Sequence, residues 1–199
     1  MASEITHIVY GKKIFDRNNL VDWPKFVVGT IFPDIRYIAQ VDRDLLHTYG
    51  TSEESIPTLN AFESGKYVHS LIDEKREAYI KSRGIYDLIP LNNISAGALK
   101  LVEDSVTYSL YSDWESVIIS LDDIYEEELA NGITKEIVHK WHQFFQGYMK
   151  QPPEEKQWLE LARFFSYKDE QAAGWLEQIR FVQSNQQIMQ IIKDTYNFI

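Results

Sequence analysis

Between roughly Thr58 and Arg83, the residues Phe62, Gly65, Lys66, His69, Ile72, Asp73 and Arg76 recur in steps of three and four. Steps of that size place them near one stripe of a helix, whereas a strand would alternate its faces every second residue. The stripe carries an imidazole and a carboxylate one turn apart, and Gly84 ends it. The same period runs through most of the chain. Ser3 can cap a first helix reaching about Asp16, with Ile5, Ile8, Val9 and Phe15 on its apolar side. Asp22 before Trp23-Pro24 reads as a second start.

The run 26–32 is short and apolar and is compatible with a strand, but a buried helix fits its neighbours better. Pro33-Asp34 breaks it, because proline forces the chain out of regular geometry. From Asp42 to Leu59 the residues turn polar and read as a loop carrying His47. Further helices are expected at about 94–111, 114–130, 134–150, 154–166 and 168–197, punctuated by Gly132, Pro152-Pro153 and Lys168-Asp169. The expectation is an all-α protein, a compact bundle of seven or eight helices forming a single domain over 1–199. A weak boundary near Pro152 would set off a C-terminal helical hairpin, 153–199.

Composition narrows the chemistry. A hydrophobic fraction of 44% with 25% charged residues belongs to a chain that can build a core. Without cysteine, any zinc would be held by histidine and carboxylate. A net charge of -10 disfavours nucleic acid and anionic membrane as partners, since both call for clustered Lys and Arg. It leaves open a phosphate-bearing small substrate, because a bound metal reverses the local sign. No stretch approaches the roughly 20 apolar residues of a membrane span, and the first residues lack the basic and apolar regions of a signal peptide. A cytoplasmic protein without stable membrane insertion is expected.

His69 and Asp73 can close on one metal ion from a rigid backbone, and His7, Asp34 and His47 precede them with suitable chemistry. Asp34, fixed after a proline, can be directed inward. Gly65 costs helix stability, roughly 0.5–1 kcal/mol against alanine, and makes sense where another segment or an ion with its ligands must come close. The plainer readings are an i,i+4 pair on a solvated helix face for His69 and Asp73, a surface histidine at 47 and a partly buried helix residue at 7. His139 and His142 read as ordinary packing or surface residues, with no carboxylate in helical register beside them. The acidic run Asp122–Glu128 reads as a solvated helix face, because it lacks the glycine and the oxygen spacing of a calcium loop.

The order His7, Gly29-x-x-x-Pro33-Asp34, His47, then Phe62-x-x-Gly65-x-x-x-His69-x-x-x-Asp73 resembles the zinc-dependent phospholipase C family, with the fungal single-strand nucleases as more distant relatives of that helical fold. The resemblance covers about the first 110 residues. It implies that Asp34, His47, His69 and Asp73 surround one zinc, with Asp34 also the general base for the attacking water. It implies that His7 serves a second zinc, bridged by Asp73 and completed in the family by the free N-terminal residue. The family's third metal has lost its histidines here: Lys100 and Asp104 keep the spacing, with Glu103 or Asp104 left to offer an oxygen. The expected activity is hydrolysis of a phosphate ester with one or two zinc ions. The alternatives are a degenerate helical scaffold or binding protein, and a phosphohydrolase of the His-Asp type, disfavoured because no His-Asp dipeptide occurs.

Overall fold

The computed structural model describes residues 3–57, 60–89 and 92–199. Among the described residues there are eleven α-helices and no strand. They are α1 (Glu4–Arg17), α2 (Trp23–Ile31), α3 (Arg36–Ala39), α4 (Ala61–Ser82), α5 (Ile85–Leu88), α6 (Asn93–Thr107), α7 (Trp114–Ser120), α8 (Lys135–Tyr148), α9 (Glu155–Phe164), α10 (Asp169–Ser184) and α11 (Gln186–Phe198). The all-α expectation holds. The expected count of seven or eight falls short because two single-turn helices, α3 and α5, are added and the span 168–197 divides. None of these helices is long and apolar enough to cross a membrane.

The division falls at Asn185, whose backbone is extended and whose side chain accepts from the N–H groups of Gln187 and Ile188. Asparagine thereby caps α11 and turns the chain. The span 114–130 is not one helix either. It ends as α7 at Ser120, and a 3₁₀ segment resumes at Glu126–Gly132. Ser3 occupies the N-cap position of α1, but its hydroxyl donates to Glu4 and makes no capping bond. Asn60 caps α4 through the N–H groups of Phe62 and Glu63; the expected start at Thr58 lies outside the described residues.

The central contact is between α2 and α4; α1 packs on both and α7 on α2, α6 lies against α1, and α10 and α11 close against α6 and α4. Phe26, Val28, Ile31, Phe62, Val68 and Ile72 are completely buried there, or within 1% of it. Two glycines set the spacing. A Cβ on Gly29 would lie 2.1 Å from the backbone oxygen of Phe62, and one on Gly65 would lie 2.2 Å from that of Phe26. The glycine expected to admit a close neighbour therefore admits the backbone of α2.

Alanine normally favours a helix over glycine by about 0.5–1 kcal/mol, but here the new methyl meets backbone that cannot rotate away. Gly65→Ala is expected to cost about 1–3 kcal/mol, read as a lower urea midpoint at unchanged slope. A midpoint equal to or above wild type would show that the two helices are not held in backbone contact.

Candidate metal centre

His69 leaves the buried face of α4, and Asp73 follows one turn later. Opposite them, α2 stops at Ile31 and the chain tightens into a 3₁₀ turn, Phe32–Ile35, with Pro33 in its first turn. Phe32 and Ile35 anchor that turn in the core, which aims Asp34 inward. His7 comes from the second turn of α1 and is fully buried.

His47 arrives on the loop 42–56, which α4 clips at several points. The Thr48 N–H donates to Ser70 Oγ at 3.0 Å; the N–H groups of Gly50 and Thr51 donate to the Glu74 carboxylate at 2.8 and 2.9 Å. The Ser52 N–H donates to the Tyr67 hydroxyl. Tyr67 thus holds the loop.

All five sequence candidates meet in one place. Among the described residues two sets have ligand atoms close enough for one ion: His7, Asp34 and His69, and His47, His69 and Asp73. Every member is buried. The readings of His69 and Asp73 as a solvated pair, and of His47 as a surface histidine, are therefore corrected. His7 stacks on His69 with ring centroids 3.8 Å apart, and its Nε2 lies 3.3 Å from Asp73 Oδ1 in a geometry that makes no hydrogen bond. Asp34 Oδ1 is buried without a hydrogen-bond partner, 4.0 Å from His47 Nε2.

The two central imidazoles have defined protons. His69 Nδ1 lies 2.8 Å from the Thr30 carbonyl, and His47 Nδ1 lies 3.3 Å from the Arg43 carbonyl. A carbonyl only accepts, so each Nδ1 carries the proton and each Nε2 presents a lone pair. Those two Nε2 atoms face each other at 3.2 Å. Burial, and the nearby His7, push His69 down to about 3, and burial pushes His47 down to about 4. Near neutrality a proton does not bridge them, and two lone pairs left in contact repel. Two donors bound tetrahedrally to zinc at about 2.0–2.1 Å stand about 3.3 Å apart, so the donor set fits that ion. The carbonyls of Thr30 and Arg43 are then the outer partners that fix ring orientation in metal-binding histidines.

The carboxylates are ionised. Burial raises Asp73, but the charged and hydrogen-bonding groups around it outweigh burial and hold it well below the usual range. Burial likewise raises Asp34, and His69 with Lys100 brings it below its ordinary value. Arg43 donates to Asp73 Oδ2 at 3.0 Å. Because His69 Nδ1 is committed to Thr30, its single lone pair serves one ion, and the two sets sharing His69 describe alternative partners around one position. The residue that completes the family's second site, at position 1, lies outside the described residues.

Glu103 and Asp104 join neither set. Glu103 accepts from Arg76 Nε at 2.5 Å and from the Tyr10 hydroxyl at 2.9 Å. Asp104 accepts from the Thr6 N–H and hydroxyl at 2.9 and 2.8 Å, and burial pushes it up to about 6. The oxygen expected from one of them for a further metal is thus taken by protein partners.

A cavity of about 240 Å³ adjoins Asp34. Lys100 and Leu101 of α6 form part of its wall; Tyr37, Phe165, Tyr167 and Trp175 supply rings, and Ser3 and Glu4 also line it. Burial, with Asp34 and Asp104 nearby, pushes Glu4 up to about 8, so it is mostly protonated near neutrality.

A second buried polar pair escaped the sequence. His142 Nε2 lies 2.8 Å from Glu128 Oε1, with both residues buried. The acidic run is thus not wholly solvated, and His142 does have a carboxylate, brought from a separate segment. His139 is exposed.

No family model, no curated protein and no solved structure matches this chain.

Imidazoles held neutral in the fold stabilise it fully above their ordinary 6.5, and that stability is lost as pH falls toward about 4. Proton competition with a metal is displaced by the same amount. Zinc affinity, titrated calorimetrically, is expected to stay nearly level from pH 7 to about pH 5 and to fall below about pH 4. A decline centred near 6.5 would mean that the histidines titrate as free ones.

Proposed function

We propose that the protein is a metal-dependent hydrolase of phosphate esters, similar to the zinc-dependent phospholipase C family, with one zinc held at His69 by partners drawn from His7, Asp34, His47 and Asp73. The observation that carries this reading is the pair of Nε2 lone pairs facing each other at 3.2 Å, each fixed by a carbonyl behind its ring. Zinc bound there supplies Lewis acidity toward a phosphoryl oxygen and toward water.

The chain's own residues supply the rest. Asp34 is ionised, has an oxygen without a hydrogen-bond partner and lines the cavity, so it can take a proton from an attacking water. His47 and His69 are uncharged donors, and the two carboxylates balance the charge of a divalent ion. The surrounding apolar packing keeps bulk water off the cluster. Arg43 covers the other side of Asp73 and fixes its orientation.

A second reading, a catalytically degenerate binding or scaffold protein that keeps this fold, draws on the Arg76–Glu103 ion pair and on Lys100, which occupy the ground of the family's further metal.

Elemental analysis of wild type and His69→Ala, paired with hydrolysis of aryl phosphate mono- and diesters, separates the two. Wild type is expected to hold about one equivalent of zinc and His69→Ala much less. Asp34→Asn, assayed after zinc reconstitution, is expected to lower kcat by about 10²–10⁴. Zinc-loaded wild type without phosphoesterase activity would favour the binding protein, and wild type that takes up no zinc would remove the hydrolase reading.

A further inference from the structure

We infer that the cavity beside Asp34 is a subsite for a small phosphate ester with a compact aromatic or apolar alcohol, and that the Lys100 ammonium binds its phosphoryl oxygens. This rests on the proposed hydrolytic reading and specifies its substrate.

Lys100 sits on the cavity side of α6 and is partly buried. The acids near it on that helix are engaged elsewhere: Glu103 by Arg76 and Tyr10, Asp104 by Thr6. Among the described residues no carboxylate pairs with Lys100 at ion-pair distance, whereas Arg43, Arg76 and Lys25 each have such a partner. A half-buried ammonium that feels Asp34 but has no carboxylate at ion-pair distance among the described residues, at the wall of a cavity that reaches a candidate metal ligand, leaves its N–H donors for an anion supplied by a ligand.

The rest of the wall says what that anion carries. A Cβ on Gly97, one turn before Lys100, would lie 2.9 Å from the Trp175 ring, so the indole rests directly on the α6 backbone as a floor. Tyr167 packs on that indole at 4.6 Å between ring centroids, and Phe165 meets Tyr37 at 5.1 Å. The result is a slot with flat apolar sides and one cationic point, with Ser3 and the carboxyl groups of Glu4 and Asp34 also in its lining. Its volume of about 240 Å³ lies below the roughly 300–1,000 Å³ of sites for drug-sized molecules. A diacyl lipid or a polynucleotide exceeds it; a phenyl phosphate does not. Position along the slot then follows from charge: phosphoryl at Lys100, ring against Trp175 and Tyr167.

The test uses the full chain, with and without added zinc, and calorimetric binding of phenyl phosphate, inorganic phosphate and a short-chain phosphatidylcholine. Wild type is expected to bind phenyl phosphate more tightly than inorganic phosphate, and the lipid not at all. Lys100→Met is expected to weaken phenyl phosphate binding tenfold or more, since a charge-assisted hydrogen bond is lost, while keeping the zinc content of wild type. Lys100→Arg should restore much of the affinity, which a purely structural lysine would not require. Binding of phenyl phosphate by Lys100→Met at wild-type strength, or no binding by wild type, overturns the subsite. Equal binding of the short-chain lipid overturns the size argument. Wild type that takes up no zinc yet binds phenyl phosphate through Lys100 sinks the metal-hydrolase reading and leaves the anion subsite standing.

Discussion

The arrangement around His69 depends on the backbone contact between α2 and α4. Gly29 and Gly65 leave each helix without side chain at the crossing, so the two backbones meet. Thr30 is one of the last residues of α2, where carbonyls run out of helical partners, and the close approach puts its carbonyl on His69 Nδ1. That bond chooses the tautomer, and the tautomer decides that Nε2 faces His47 with a lone pair. A small shift at the glycines would alter a proton position in the site. Packing and chemistry are here one constraint.

The loop that delivers His47 is held from the same helix. Ser70, Glu74 and Tyr67 receive the N–H groups of residues 48, 50, 51 and 52, so α4 supplies both His69 and the clamps that place its partner. Loop polar groups that would otherwise need water are satisfied by α4 side chains. This also accounts for the polar composition of residues 42–56, which the sequence shows without saying where the groups go.

His69 and Asp73 were legible because helical spacing puts i and i+4 on one face, and the proline before Asp34 marked a fixed, inward carboxylate. Burial was not legible: the same i,i+4 pair is common on solvated helices, and only the packing of α1, α2 and the clipped loop around it distinguishes the two. Asn185 was readable in principle, as a favoured capping residue, but the apolar period continues across it and masks the break. Glu128 with His142 was beyond reach, because the pair joins a 3₁₀ turn to α8 and no helical register links them. Spacing arguments see within an element; they do not see which elements meet.

Charge explains why the cluster does not extend further along α4 and α6. Three residues after Asp73, Arg76 points at Glu103 and saturates it, and the Tyr10 hydroxyl takes the other oxygen. A buried guanidinium paired in this way is expensive to separate, since removing one partner strands the other in an apolar setting. Any cation entering there would have to displace Arg76, a permanent charge. Asp104 is similarly unsuited, its carboxyl pushed toward the neutral form by burial, with Oδ1 taken by Thr6 and Oδ2 3.5 Å from the Tyr148 hydroxyl. The fixed cations Arg76 and Lys100 therefore stand where further metal would bring positive charge. They differ in one respect: Arg76 is in contact with its carboxylate, whereas Lys100, at the cavity wall, has no carboxylate at ion-pair distance among the described residues.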